Sequence, residues 1–169
     1  AAGTGIAVNG GKVVVERNLG GPTRNHSVRI SANAVGVVEL RSRQNLDALT
    51  VAGGRVSLLG AGVEPDAGVH TNTLSISGGG MLDVGRQWLI VRPGAQTRAA
   101  VLQEVEGYVR TARNAATPWT GPGITSSAAV ANPLTGLAVV LNDAGDGTPV
   151  IASFMGETLD ANAVVTAYT

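Results

Sequence analysis

The chain has 169 residues, enough for one ordinary domain or for one elongated domain with a small appendage. Its 12 Lys and Arg balance 12 Asp and Glu. A net charge of zero argues against a nucleic-acid binder, which needs a basic face, and removes the self-repulsion that keeps copies apart. The absence of cysteine excludes disulfides, thiol catalysis and Cys-ligated zinc. No run of about 18 apolar residues exists, so no membrane span is expected.

Hydrophobic residues make up 44% of the chain, but the aromatic ones are few: Trp88, Trp119, Tyr108, Tyr168 and Phe154. The core must come from Val, Leu, Ile and Ala, which suits thin stacked β-structure. The start, Ala1-Ala2-Gly3-Thr4, fits a mature N-terminus left by signal cleavage.

Four segments of the front half share a pattern of alternating apolar residues, a small turn, and apolar residues again. They begin at Ile6, Val28, Leu49 and Leu74, and their anchors Val8, Ile30, Val51 and Ile76 are 22, 21 and 25 residues apart. Alternation turns Ile6 and Val8 to one face and Ala7 to the other. The step Gly10-Gly11, Gly53-Gly54 or Gly78-Gly79-Gly80 lets the chain bend. Such a period predicts a right-handed parallel β-solenoid (β-helix) of about four coils over residues 1–92. Surface loops are expected at 17–27, 39–47 and 60–72. An antiparallel sandwich of hairpins shares the alternation and stays open as the alternative.

The region 93–169 reads as a helix plus a C-terminal β region packed on the repeats. Pro93-Gly94 breaks the strand Trp88–Val91. Thr97 is a good N-cap for a helix from about Arg98 to Arg113, with Leu102, Val105, Val109 and Ala112 on its apolar face. That face is expected to lie on the flank of the repeats or to cover one end. An ordered loop spans 114–136. Strands are predicted at Leu137–Leu141, Val150–Phe154 and Ala163–Tyr168.

The runs Leu74–Val84, Trp88–Val91 and Trp119-Thr120-Gly121-Pro122-Gly123-Ile124-Thr125-Ser126-Ser127-Ala128-Ala129 carry a family likeness. So do Gly136-Leu137-Ala138, Asn142-Asp143, Gly156-Glu157 and the closing Val164-Val165 with Tyr168-Thr169. Over residues 73–169 the sequence resembles the C-terminal region of large secreted planctomycete-type surface proteins with autotransporter-like β-strand repeats. The resemblance implies an extracellular protein, often β-helical, with no shared catalytic residues. In that family the Tyr-Thr strand is often followed by a calcium-binding dockerin-like or sorting segment. The sequence here runs to Thr169, so neither role is carried over.

Candidate chemistry is sparse. His26 and His70 fall in expected loops, with no metal-ligand spacing and no nucleophile placed beside them. Asn142-Asp143-Ala144-Gly145-Asp146-Gly147 offers oxygen ligands, and Asp143 and Asp146 are weak calcium candidates. The run lacks the alternating acids and bidentate Glu of a calcium loop, so a polar turn is the reading adopted. No cofactor is expected. A polysaccharide-cleaving enzyme needs acids gathered on one wall. The outward positions instead carry Ala7, Lys12, Arg29, Thr50, Arg55 and Ser75. The chain therefore reads as a non-enzymatic structural protein, secreted to the extracellular space or cell surface. Self-association into a homo-oligomer, surface fibre or sheath is expected through an open first coil, Ile6, Val8, Val13 and Val15. Its counterpart is the β-prone tail Val164, Val165 and Tyr168. The alternative is a monomeric carbohydrate-binding adhesin or stalk module that holds extracellular polysaccharide on Trp88 or Trp119.

Overall fold

A computed structural model of the chain describes residues 5–19, 29–60, 66–94, 96–114 and 116–169. Among them are fourteen strands and two helices. The front half supplies strands in pairs: β1 (Gly5–Val8) with β2 (Lys12–Val15), and β3 (Arg29–Asn33) with β4 (Val37–Leu40). The next pairs are β5 (Gln44–Ala52) with β6 (Arg55–Leu58), and β7 (Val69–Ser77) with β8 (Met81–Asp83). Then come β9 (Trp88–Val91), α1 (Arg98–Arg113), β10 (Gly123–Thr125), α2 (Ser127–Ala131) and β11 (Leu137–Leu141). A short hairpin of β12 (Ser153–Phe154) and β13 (Glu157–Thr158) precedes β14 (Val164–Tyr168).

The first strand of each pair enters a seven-stranded sheet of order β1-β3-β5-β7-β9-β14-β11, and the second enters a five-stranded sheet of order β10-β8-β6-β4-β2. The architecture is thus mixed α/β, rich in strands, with α1 flanking. This corrects the expected four-coil β-solenoid, or β-helix. The repeats account for β1 to β8 alone. The seven-stranded sheet is carried on by β9 and then by β14 and β11, with β14 antiparallel to both neighbours. The five-stranded sheet is completed by β10, from beyond the helix. Local alternation is the same in all these arrangements, so it could not tell them apart.

The registers line up apolar rows between the sheets. Ile6, Ile30, Leu49 and Leu74 form one row. Val13, Val38, Val56, Leu82 and Ile124 form the facing one. The sequence anchors had matched Val8 with Ile30, whereas the structure pairs Ile6 with Ile30. The slip is two residues, and a period of two leaves each side chain on its expected face. Val38, Leu49, Val56 and Leu82 are fully buried, each contributing about 1.5–3 kcal/mol of transfer free energy.

The corners between paired strands bring backbone against backbone. A Cβ on Gly36 would lie 2.1 Å from the Val8 carbonyl oxygen, and one on Gly80 would lie 2.2 Å from that of Val51. Only glycine allows that approach.

Two expected surface loops are partly strand: 39–47 contributes to β4 and β5, and 60–72 to β7. Buried polar side chains disguised them. Gln44 is fully buried; its amide donates to the Arg17 and Ser42 carbonyls and accepts from the Leu19 N–H.

α1 begins as its sequence predicts. The Thr97 hydroxyl accepts from the Ala100 N–H at 3.2 Å, a cap worth about 1 kcal/mol. Arg110 and Arg113 in the last turn suit the helix dipole. The buried face is Val101, Val105, Val109 and Ala112; Leu102 is only half-buried. Val101, Val105 and Val109 join the same core as Val8, Leu49, Leu82 and Val164, so one core crosses the 92/93 boundary. The Tyr108 hydroxyl accepts from the Ile76 N–H at 3.2 Å and donates to Glu104 at 2.7 Å. It takes the place of a strand partner where β9 pairs only with Val69–Thr71.

On the far face of the seven-stranded sheet, Trp88, Ile90, Leu159, Ala163 and Val165 form a second core with Phe154 against it. Covered on both faces, β9 is apolar at every position.

Candidate functional site

Among the described residues, the outermost strands of the two sheets differ in how they are guarded. In the five-stranded sheet, β2 carries Lys12, whose ammonium meets Glu39 at 2.7 Å, and Arg41 links Glu39 to Glu16. Hydrogen bonding to Lys12 holds the Glu39 carboxyl below its ordinary value. At the other end, β10 lies under α1: a Cβ on Gly123 would sit 2.2 Å from the Tyr108 carbonyl oxygen. Charges on an edge, or a helix over it, are the usual protections against strand addition. The end strands of the seven-stranded sheet have a different composition. Gly5-Ile6-Ala7-Val8 and Leu137-Ala138-Val139-Val140-Leu141 hold no charge and no proline.

The expected association residues divide between these places. Ile6 and Val8 lie on β1, and Val13 and Val15 on β2, all at sheet ends. Val164, Val165 and Tyr168 lie on β14, which pairs with β9 on one side and β11 on the other. Val164 and Val165 are thus paired on both sides within the chain. The edge strand is β11. The sequence predicted its span but not its position. The visible signal was a five-residue run with no gatekeeping charge.

Beside β11 is an apolar cleft of about 220 Å³ with no polar surface exposed in its wall, lined by Ala138, Val140, Val150, Ile151, Phe154 and neighbouring residues. Val140, Val150 and Ile151 are exposed at 53%, 60% and 41%.

His70 is not in a loop. It sits on β7, fully buried, with Nδ1 3.2 Å from Glu157 Oε2. Arg43 Nη1 donates to Glu157 Oε1 at 3.4 Å, and its guanidinium lies 5.8 Å from the centre of the Trp88 ring. Trp88 meets Phe154 edge-on at 6.2 Å. This node pins the β12–β13 hairpin to the sheet. A general base must reach its substrate, and an imidazole with no exposed surface does not. His26 lies outside the described residues.

Trp88 and Trp119 are buried, at 1% and 7% exposure. Trp119 adopts a φ of 65°. Its N–H donates to the Ala112 carbonyl, and its own carbonyl accepts from the Thr125 hydroxyl. It anchors the connection between α1 and β10, and neither indole presents a platform to a sugar.

The Asp143 and Asp146 carboxylates already have partners within the chain. Asp143 Oδ1 accepts from the Gly145 and Gly147 N–H groups, and Oδ2 pairs with Arg98 at 2.9 Å. Asp146 Oδ1 accepts from the Thr148 hydroxyl and N–H, which hold its carboxyl below the ordinary value. The Asn142 amide binds the Ile151 and Asp160 carbonyls. Among the described residues no group of three or more His, Cys, Asp or Glu side chains is arranged to hold a metal, and no helix is long and apolar enough to cross a membrane.

Comparison with protein families, curated proteins and solved structures finds no match for the chain.

Proposed function

We propose that this is a structural protein rather than an enzyme, exported to the extracellular space or cell surface, whose copies associate through the ends of the seven-stranded sheet. The observation that supports it is the contrast between the two sheets. The five-stranded sheet ends in charges and a helix, while the seven-stranded sheet ends in uncharged strands at both sides. Zero net charge leaves no long-range repulsion between copies. The resemblance of residues 73–169 to secreted surface proteins supports the location. The adhesin alternative loses its support, because the two indoles it relies on are buried.

Light scattering over a concentration series, with negative-stain electron microscopy, tests the reading. The expected result is a mass that grows with concentration and elongated particles. A mass that stays at the 17.0 kDa of one chain at every concentration refutes it.

A further inference from the structure

We infer that β1 of one copy adds as a parallel strand to β11 of the next, so that the seven-stranded sheet continues from molecule to molecule. This rests on the association reading above and names its partner, a second copy of this chain, and its geometry.

Strand direction comes first. β1, β3, β5, β7 and β9 are mutually parallel. β14 is antiparallel to β9, and β11 is antiparallel to β14. Two reversals restore the direction, so β11 runs the same way as β1. The two ends of the sheet therefore match in polarity for head-to-tail addition.

The backbone groups match as well. Gly136 and Thr169 exchange both N–H to carbonyl bonds, and Asn142 N–H donates to Ala163. Antiparallel alternation then turns Ala138 and Val140 toward β14, and Leu137, Val139 and Leu141 outward. Among the described residues, the backbone of these three makes no other hydrogen bond. On β1 the same counting, from the Ala34 N–H bonded to the Ala52 carbonyl and the β1–β3 register, turns Ile6 and Val8 toward β3 and Gly5 and Ala7 outward. Setting Ala7 opposite Val140 interleaves the outward groups of Gly5 and Ala7 with those of Leu137, Val139 and Leu141.

That register also satisfies the side chains. Ile6 and Val8 continue the core-facing row of Val139 and Leu141. Ala7 comes beside Val140, next to the apolar cleft, and is small enough not to strike the Val150–Ile151 segment. Such a contact uses two different surfaces, so it excludes a symmetric dimer and builds a filament where the rotation between copies does not close a ring.

Cross-linking tests the junction. The chain has no cysteine, so introduced thiols report on the contact alone. Ala7→Cys and Val140→Cys place thiols at exposed positions. The two variants are mixed under assembly conditions with a short thiol cross-linker, alongside scattering of the unsubstituted chain and of Val140→Lys. The expected result is a several-fold excess of the mixed dimer over either like-with-like dimer, and loss of assembly in Val140→Lys. If the unsubstituted chain assembles but like-with-like dimers dominate, or Val140→Lys assembles unchanged, the junction is refuted while association stands. If the unsubstituted chain stays monomeric at every concentration, the association reading falls and takes the junction with it.

Discussion

Replacing Gly80 by alanine tests whether close backbone approach at the corners, rather than turn flexibility, holds the two sheets together. The new Cβ would lie 2.2 Å from the Val51 carbonyl oxygen, 2.8 Å from its carbonyl carbon and 3.0 Å from its Cγ1. Non-bonded carbons settle at about 3.5–4.0 Å, so the strands must part by about 1 Å. Overpacking of this kind costs about 1–3 kcal/mol. The movement also strains bonds from the Gly80 N–H to Ser77 and from the Gly123 N–H to Gly80, each worth about 1 kcal/mol net. The expected loss is about 3 kcal/mol, or a Tm lower by about 6–12 °C for a chain of this length. Gly79 is the control. It has a φ of 81° but open space around its missing Cβ, so Gly79→Ala carries only left-handed strain of about 1–2 kcal/mol. Urea titration of the three proteins measures both, with a shift in midpoint at constant slope. A Gly80→Ala protein within about 0.5 kcal/mol of the unsubstituted chain, or a Gly79→Ala protein that is the less stable of the two, refutes the reasoning.

Gly107 lies inside α1 with nothing near its missing Cβ; Gly107→Ala is expected to raise stability by about 0.5–1 kcal/mol in the same titration. Burial, and then the hydrogen bond to Glu104, hold the Tyr108 phenol above its ordinary pKa. The folded state therefore keeps this proton longer than the unfolded one. The contribution is complete below the unfolded value and is lost as pH rises through the folded value. Tyr108→Phe removes the acceptor for the Ile76 N–H, costs about 1 kcal/mol near neutral pH, and flattens the alkaline side of the stability profile; an unchanged alkaline slope counts against the assignment. Trp88→Ala empties the second core, with an expected loss of about 3–5 kcal/mol. Its first consequence is release of the β12–β13 hairpin, seen as fast amide exchange at Glu157 to Leu159 while the Leu49 region stays protected.

Short-range physics made much of the fold legible. Alternation of apolar residues placed β1, β2, β3, β6 and β8 and assigned their faces. Helical spacing with Thr97 in front placed α1, and a β-branched run placed β11. Each feature depends on a residue and neighbours within four or five positions. Register, sheet order and edge identity depend on partners tens of residues away. A shift of two residues preserves every face, so Val8 and Ile6 were equally good matches for Ile30. His70 and Gln44 read as loop residues because polar side chains are mostly exposed; their burial depends on Glu157 and Arg17, which the fold brings to them. The tail Val164–Tyr168 has the composition of an edge strand and an interior one alike. That β14 lies between β9 and β11, leaving β11 as the open end, was decided by the tertiary structure, because the hairpin that packs over Trp88 returns the chain between them.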